Sequence, residues 1–582
     1  MSLCNRAATP RAFAGMLAFV SFALTYIALT SQAQAAAKAA PIFSTHMVLQ
    51  QGIPVPVWGT ADPGEKVTVS IAGKNAEATA DGQGKWSLKV EPLAASDQPL
   101  EMKISSTNSE LVISDVLVGE VWICSGQSNM VASKRDLISA DVGSRKRIRF
   151  FKIANEANIV PQDSAPGTWV VCTPEANKLN FSATGYFFAV DIEKARNVPV
   201  GMIQSAWSGT PILPWIDLAT VEASPNFKKD VAAVTSMRAR LPEALEDYTK
   251  KTLPEYELKL QQWKDQRQAS TSNGVPNTPK GKAAESPKKP EAPGKQHGLA
   301  SAIHNAMIHP LIPYAIRGVI WYQGESNAGS ADTGRAYAEL LPMLIKSWRT
   351  KWGQGDFPFI FVQLPAYTRG SAWPYLRQAQ LETLSVPASG MGVALDLNPQ
   401  DDLHPPDKSA VGQRLALVAL RIAYQQDLVA YGPLYKSCKA EKEKIRITFT
   451  EVGSGLTIGQ PPLAYRRKPV AAAPIAASPA DSGAAGNSTN APPASAKPAP
   501  HPADIIPLDK LVGFEVAAAD GKFFPATAQI EDNAVVAWSE SVPEPTQVRY
   551  AWAAYPQYNL YNKEGLPASP FSSADCDAAK AR

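Results

Sequence analysis

The chain has 582 residues, 57 basic and 53 acidic side chains, a formal net charge of +4 and a hydrophobic fraction of 45%. This composition is ordinary for a globular protein with a sizeable core, and the length fits several domains or one large domain with appendages. The near balance of charge excludes a strongly basic nucleic-acid-binding protein and gives no reason to expect a membrane-surface protein.

The first 35 residues have the pattern of a secretory signal peptide. Arg6 and Arg11 precede an apolar run over 12–30, and Ala33 and Ala35 supply the small residues of a cleavage site. We predict cleavage after Ala35 and a periplasmic or secreted mature chain, with a permanent N-terminal anchor as the alternative. No later segment has the apolar length of a membrane span, so we expect no integral membrane segment after cleavage.

Cysteine usage is compatible with export. Four cysteines would remain after cleavage, and an oxidising compartment allows them to pair in three connectivities that the sequence does not distinguish. No Cys or His cluster has the spacing of a metal site, and we expect neither a metal nor another cofactor. The four cysteines are Cys124, Cys172, Cys438 and Cys576, of which Cys124 falls in an apolar run that favours an inert core thiol.

Residues 41–115 alternate apolar and polar side chains in short runs separated by turn sequences such as Asp62-Pro63-Gly64. Alternation with a period of two is typical of strands that are buried on one face, so this segment is predicted to be a β-sandwich-like domain. The runs cover 55–58, 66–71, 86–90 and 100–105.

From about residue 116 the pattern changes to continuous apolar runs separated by helical stretches. Strands buried on both faces are continuously apolar, and their alternation with helices predicts a doubly wound α/β domain with a parallel sheet, placed at 116–430. The predicted strands are 116–124, 200–205, 318–322, 357–364 and 392–397, and the predicted helices are 184–196, 337–349, 373–384 and 409–424.

Two segments are poor in apolar residues. Residues 266–297 are rich in Lys, Pro, Ser, Asn and Gly, and residues 468–503 are almost entirely Ala, Pro, Ser and Asn. Such segments bury too little apolar surface to offset their ordering entropy, so both are predicted to be disordered inserts. The second lies in a C-terminal region, 431–570, whose short runs predict further β structure.

Residues 121–130, VWICSGQSNM, form an apolar strand that leads into a small polar turn. A serine nucleophile is favoured there, because the turn exposes its oxygen at the carboxyl edge of a parallel sheet and backbone N–H groups follow it. The alternative is a serine that caps a helix. No G-x-S-x-G elbow occurs in the chain, which argues against an α/β-hydrolase fold.

Two other polar turns follow predicted strands. In the segment 321–327, WYQGESN, Gln323 can donate a side-chain N–H to an oxyanion and Gly324 allows a substrate to approach closely. In the segment 207–211, WSGTP, the N–H of Gly209 can complete an oxyanion hole.

One histidine is placed to act as a base for a serine. His404 follows the last predicted strand, and Asp401 and Asp402 lie three and two residues before it. A carboxylate can orient the imidazole through Nδ1 and stabilise the imidazolium. The other histidines lie in the β domain (His46), at the predicted inserts (His297 and His501) or on either side of 305–308 just before a strand, where we expect them to pack or cap (His304 and His309).

Through these motifs the sequence resembles the sialate O-acetylesterases of the SGNH (GDSL-like) hydrolase superfamily over nearly the whole mature chain. The resemblance implies a secreted serine esterase with a flavodoxin-like three-layer α/β/α domain that removes O-acetyl groups from sugars, most closely sialic acids. Its partner would be an O-acetylated glycan or sugar. The blocks that carry the resemblance are 119–130, 321–327, 404–408, 549–552, 559–562 and 565–567.

The resemblance also implies residue roles. Ser128 would be the nucleophile, His404 the base, and the N–H of Ser128 with Gly209 and Gln323 the oxyanion hole. The D-x-x-H spacing of the superfamily selects Asp401 as the orienting acid, whereas nearer relatives often keep an acid at the position of Asp402. We favour Asp401.

The chain departs from the family pattern in the region G-G-T-P-I-E-x-W, where Ser208 replaces the first glycine and Leu213 replaces the glutamate. Both departures bear on the substrate, so an acetylxylan or hemicellulose esterase is an alternative. A non-catalytic secreted glycan-binding protein is an alternative from another class. Aromatic residues near the predicted site fit stacking on a sugar or packing in the core: Trp207, Trp215, Trp321 and Tyr322.

Overall fold

The computed structural model describes most of the chain. No helix in this part is both long and apolar enough to cross a bilayer. The predicted signal peptide, the predicted insert 468–503, Asp401 and Cys576 fall outside the described residues. The described ranges are 37–107, 109–132, 145–173, 181–272, 285–398, 402–405, 408–459 and 509–575.

The N-terminal region is built from short antiparallel strands, as its alternating pattern predicts. In the strand Lys66–Ile71 (β4), Val67, Val69 and Ile71 are buried while the residues between them are partly exposed, so one face of the strand packs on the core. The strands are β1 Lys38–Ala39, β2 Val48–Gln50, β3 Val55–Thr60, β4 Lys66–Ile71, β5 Lys74–Thr79, β6 Lys85–Val90 and β7 Ser96–Ser105.

The eighth strand, β8 Glu110–Gly126, joins this region to the centre of the molecule. Its first half pairs antiparallel with β7, and its second half lies between two parallel neighbours. Asp115, near the middle, has a φ of 53° and bonds Arg149 Nη2 at 2.8 Å. The predicted boundary between 115 and 116 therefore falls inside one continuous strand.

The central sheet has the strand order β10-β9-β11-β8-β12-β13-β14. All neighbours in this order pair in parallel except β10, which is an antiparallel edge strand on β9. With the N-terminal strands that join it, the sheet has 11 strands and is mixed. The remaining strands are β9 Arg145–Ile153, β10 Gly167–Cys172, β11 Val200–Ala206, β12 Gly318–Tyr322, β13 Phe359–Gln363 and β14 Ser389–Val393.

Helices alternate with these strands, and a mixed α/β fold with flanking β-rich regions is confirmed. The last strand begins and ends earlier than predicted, because residues 394–397 form a turn closed by Leu397 N–H donating to Ala394 O at 3.0 Å. The helices are α1 Ser128–Val131, α2 Ala183–Arg196, α3 Leu218–Glu222, α4 Lys228–Asp247, α5 Leu253–Ser272, α6 Ala331–Trp352, α7 Trp373–Glu382 and α8 Ser409–Ile422. Shorter 3-10 or π segments are Leu213–Trp215, Pro225–Phe227, Tyr248–Thr252, His304–Ile308, His309–Leu311, Glu325–Asn327 and Thr383–Ser385.

The prediction of a disordered insert over 266–297 was wrong at both ends. Residues 266–272 belong to α5, and residues 285–297, here named the strap, follow a defined path over the surface. Ile159 N–H donates to Gly294 O and Tyr248 Oη donates to Pro290 O, each at 2.9 Å. These tertiary contacts order a segment whose own composition is too polar to fold alone.

The C-terminal region packs on the central region. Arg377 of α7 is fully buried and donates from Nη1 to Ala553 O at 2.9 Å and from Nη2 to Ala554 O at 2.8 Å. The strands are β15 Leu434–Glu441, β16 Lys444–Thr450, β17 Leu456–Ile458, β18 Phe514–Ala517, β19 Phe523–Pro525, β20 Thr527–Glu531, β21 Ala534–Trp538, β22 Gln547–Tyr550, β23 Leu560–Asn562 and β24 Phe571–Ser572.

Candidate active site

Three polar turns meet at the carboxyl edge of the central sheet. Gly126, which ends β8, lies opposite Ala206 of β11 and Tyr322 of β12. The next residues are bonded across the strand ends: Trp207 N–H donates to Gly126 O and Gln127 N–H to Tyr322 O, each at 3.0 Å. The parallel register therefore places the turns around Ser128, Gly209 and Gln323 side by side.

Ser128 is the first residue of α1 and is half-buried. Gly126 before it has a φ of 134°, and a Cβ there would lie 2.1 Å from Tyr322 O, so only glycine lets the chain turn this close to β12. The backbone N–H of Ser128 donates to no other described residue. The turn thus presents both the hydroxyl and a free N–H at the sheet edge.

Gly209 lies in an exposed turn with a φ of 75°, and no atom comes within 4 Å of the position a Cβ would take. Its N–H has no acceptor among the described residues. Thr210 holds the turn, since its Oγ1 donates to Trp207 O at 2.8 Å and accepts from Trp215 Nε1 at 3.1 Å.

Gln323 is fully buried, and its amide is already engaged. Nε2 donates to Thr210 O at 3.2 Å and to Asn327 Oδ1 at 2.8 Å, while Oε1 accepts from Tyr337 Oη at 2.7 Å. Asn327 Oδ1 also accepts from Ile212 N–H at 3.0 Å. Gln323 therefore ties the Gly209 turn to its own turn, and it would reach an oxyanion by exchanging one of these bonds.

His404 lies in an exposed loop whose backbone is fixed by Asp402. Asp402 Oδ1 accepts from His404 N–H at 2.9 Å, and Asp402 N–H donates to Asn398 Oδ1 at 3.1 Å. Within the described residues no hydrogen bond joins His404 to Ser128. Partial desolvation and the positive charge of Lys408 lower the pKa of His404, and the carboxylate of Asp402 opposes this shift.

Asn129 connects the Ser128 turn to the His404 loop. Its buried Nδ2 donates to Leu403 O at 3.0 Å and to Glu325 Oε1 at 2.5 Å, and its Oδ1 accepts from Lys408 Nζ at 2.5 Å. Burial raises the pKa of Glu325, whereas the bond from Asn129 and the charge of Lys408 lower it. One amide thus links the Ser128 turn to the Gln323 turn and to the His404 loop.

Replacing Asn129 with alanine is expected to lower the free energy of unfolding by about 2–4 kcal/mol, because the buried groups of Glu325 and Lys408 lose this partner. It should also lower kcat more than it raises KM, since the His404 loop loses its link to Ser128. Urea unfolding and steady-state kinetics check both effects.

The matched control is Asn226→Ala, whose amide bonds Glu339 on the surface at 2.7 Å. That change is expected to cost less than ~1 kcal/mol. Equal stabilities of the two variants would contradict the role assigned to Asn129.

Among the described residues, no other histidine is hydrogen-bonded to Ser128. His304 is buried, which lowers its pKa to about 4, so it is a packing residue as predicted. His46 pairs with Asp115 at 2.5 Å, and His309 is half-buried in a short helical segment. His297 was predicted to lie in a disordered insert, but the structure stacks it on Trp207.

The described cysteines are free thiols. Cys124 is fully buried near the carboxyl end of β8, which confirms the core thiol predicted there, and burial raises the pKa of Cys172 to about 12. Cys438 is also free and only partly buried.

Sequence reasoning quoted Asn129, Glu325, Asn327 and Lys408 within motifs but gave them no role. Their position beside Ser128, Gln323 and His404 in the sequence was the available signal. The sequence did not show which of these side chains contact one another, because Asn129 and Lys408 are separated by 279 positions.

Comparison with known proteins agrees with this arrangement. Residues 296–421 match the family model of carbohydrate esterases described as sialic acid-specific acetylesterases. A sialate O-acetylesterase of Rattus norvegicus is 28% identical over 467 residues, covering 71% of this chain and 79% of that protein. The human sialate O-acetylesterase is 26% identical over 440 residues, covering 68% of this chain and 72% of that protein.

This similarity to the sialate O-acetylesterases covers most of the chain. A solved structure agrees: that of a carbohydrate acetylesterase from Xanthomonas citri has a TM-score of 0.68 and 29% identity, covering 92% of this chain and 99% of that one. The protein is therefore a carboxylic ester hydrolase of the carbohydrate esterase class. The matched segment contains Gln323 and His404 of this esterase, whereas Ser128 and Gly209 precede it.

Proposed function

We propose that this esterase removes O-acetyl groups from sugars, with O-acetylated sialic acids as the first candidate substrates, through an acetyl-Ser128 intermediate. The observation that carries the proposal is the set of hydrogen bonds that holds the Ser128, Gly209 and Gln323 turns and the His404 loop together. The names of the curated relatives support the choice of sialic acids.

In the proposed mechanism, His404 accepts the proton of Ser128 as Oγ attacks the acetyl carbon. The oxyanion accepts hydrogen bonds from the N–H groups of Ser128 and Gly209. Gln323 Nε2 adds a third by giving up its 3.2 Å bond to Thr210 O, which is the longer of its two.

His404 then protonates the sugar oxygen as it leaves, and a water activated by His404 hydrolyses the acetyl-enzyme. The lowered pKa of His404 supports this role, because the ring is neutral and able to accept a proton at neutral pH. Asp401 is proposed as the acid that orients the ring, with Asp402 as the alternative.

An acetylated plant polysaccharide is the second candidate substrate. Leu213 stands where the family pattern has a glutamate, and it is half-buried against apolar side chains. A leucine cannot bind the substrate group that a glutamate would bind at this position. Its presence favours a broader choice of sugar.

We also propose the three-layer α/β/α arrangement for the central region. In the parallel register Trp321 lies opposite Ser125, and so points to the other face of the sheet from Trp122. Trp122 packs on Phe188 of α2 with ring centroids 5.0 Å apart, and Trp321 packs on Trp348 of α6 at 6.1 Å. Helices on both faces are what three layers require.

Export and the domain limits are proposals from the sequence pattern. Residues 1–35 would be removed on the way to the periplasm or the medium. The units would be 41–115, 116–430 and 431–570, although the continuous strand β8 makes the first boundary a change of neighbours rather than a linker.

The proposed function is tested by measuring acetate release from O-acetylated sialic acids, acetylated xylan and 4-nitrophenyl acetate with the purified mature chain. We expect release from both acetylated sugars and from the small ester, with the highest kcat/KM on the acetylated sialic acids. Turnover of 4-nitrophenyl acetate without release from any acetylated sugar would contradict the sugar substrate.

A further inference from the structure

His297 of the strap places its ring against that of Trp207, close to the Ser128 and Gly209 turns. The imidazole of His297 stacks on the indole of Trp207, with ring centroids 5.0 Å apart and planes 27° apart. Trp207 is half-buried and His297 is exposed. Because Trp207 covers one face of the imidazole, the outer face of the exposed His297 ring is the aromatic face that a ligand can reach.

This surface adjoins the proposed catalytic groups. Trp207 N–H donates to Gly126 O at 3.0 Å, two residues before Ser128, and Trp207 is itself two residues before Gly209. A group attached to an acetyl ester held between Ser128 and Gly209 would begin next to the Trp207 ring.

The position of His297 is set by packing beneath the strap. Backbone bonds from Ile159 to Gly294 and from Leu299 to Gln296, at 2.9 and 3.3 Å, fix the chain on both sides of it. An apolar cluster lies under these segments and includes Leu213, where the chain departs from the family pattern. Its members are Ile159, Val234 and Ala300, with Leu213, Leu218, Leu241 and Leu299 packed against them.

The other three aromatic residues that the sequence placed near the site are core residues. Trp215, Trp321 and Tyr322 are fully buried, so none of them offers a ring face to a ligand. A pyranose ring presents a face of C–H groups, and such a face packs favourably on a flat aromatic surface.

We propose that Trp207 and His297 form a stacking platform for the sugar ring that carries the acetyl ester, and that His297 is a specificity-determining residue. This inference rests on the proposed sugar-ester activity. It assigns to the strap a binding role for the leaving sugar, whereas the acetyl group is held by the turns.

The test compares kcat/KM for an O-acetylated sugar with kcat/KM for 4-nitrophenyl acetate in the full mature chain. His297→Ala is expected to lower the ratio of the two about fivefold through KM for the sugar. His297→Phe should restore most of the ratio, because it keeps a flat ring. Lys295→Ala, an exposed change on the same strap, is the matched control and should leave the ratio unchanged.

Each outcome decides the question. An unchanged ratio in His297→Ala overturns the platform, and so does an equal loss in His297→Ala and His297→Phe, which would indicate a hydrogen-bonding imidazole instead. If the wild-type chain hydrolyses 4-nitrophenyl acetate but no acetylated sugar, the proposed function falls and takes this inference with it. If it hydrolyses acetylated sugars and only the ratio fails to move, the proposed function stands and the platform alone falls.

Discussion

Replacing Ser128 with alanine is expected to lower kcat for acetyl-ester hydrolysis by ~10⁴-fold or more, because no acetyl-enzyme can form. The fold should be unaffected, since the side chain is only half-buried and its hydroxyl bonds no other described residue. Acetate release and turnover of 4-nitrophenyl acetate measure the loss, and the melting temperature checks the fold.

Ser125 provides a matched control three residues earlier in the same motif. It is fully buried, and its Oγ has no hydrogen-bond partner in the described part of the chain. Ser125→Ala should therefore keep near wild-type turnover. Loss of activity in Ser125→Ala together with a fully active Ser128→Ala would show that the motif was assigned to the wrong serine.

Much of the central region could be predicted because its strands are buried on both faces. The run 318–322 is continuously apolar and matches β12, and the run 200–205, which is apolar as far as Ile203, matches β11 except for its last residue. A strand with this pattern has no polar face, so its place in the middle of a sheet follows from burial alone.

The strand β9 could not be predicted in the same way, because charged residues interrupt its apolar ones. Arg147 lies near Glu193 of α2 at 3.5 Å, and Arg149 pairs with Asp115 at 2.8 Å. These partners come from distant parts of the chain, so the local pattern resembles a polar loop.

The same reason limits prediction of the site. Local turns after strands pointed to Ser128, Gly209, Gln323 and His404, but the contacts that hold them together depend on tertiary structure. Composition also predicted disorder for the strap, whereas in the fold its residue His297 stacks on Trp207. A sequence pattern records what a segment prefers alone, whereas a site depends on what its neighbours supply.

The second large expected effect, a loss of kcat, distinguishes the roles of Asp401 and Asp402, the two aspartates before His404. A triad acid must accept the Nδ1–H of the imidazole while Nε2 faces the serine. Asp402 Oδ1 instead accepts the backbone N–H of His404, and Asn398 Oδ1 accepts the N–H of Asp402. These bonds make Asp402 a residue that fixes the loop, and we therefore propose Asp401, at the D-x-x-H spacing, as the orienting acid.

Asp401→Asn is therefore expected to lower kcat by ~10⁴-fold, because an amide at this position favours the wrong imidazole tautomer. Asp402→Asn should cost only about tenfold, because an asparagine oxygen can still accept the His404 N–H and close the turn. The same change should also lower the pKa of His404 further, since the carboxylate of Asp402 raises it in the wild-type chain. The acidic limb of kcat/KM should therefore move to lower pH.

Rate and pH profiles of both variants, with the fold verified by melting temperature, decide between the acids. A larger loss in Asp402→Asn than in Asp401→Asn would make Asp402 the orienting acid and would show that the bond to the His404 backbone is exchanged for one to the ring during catalysis.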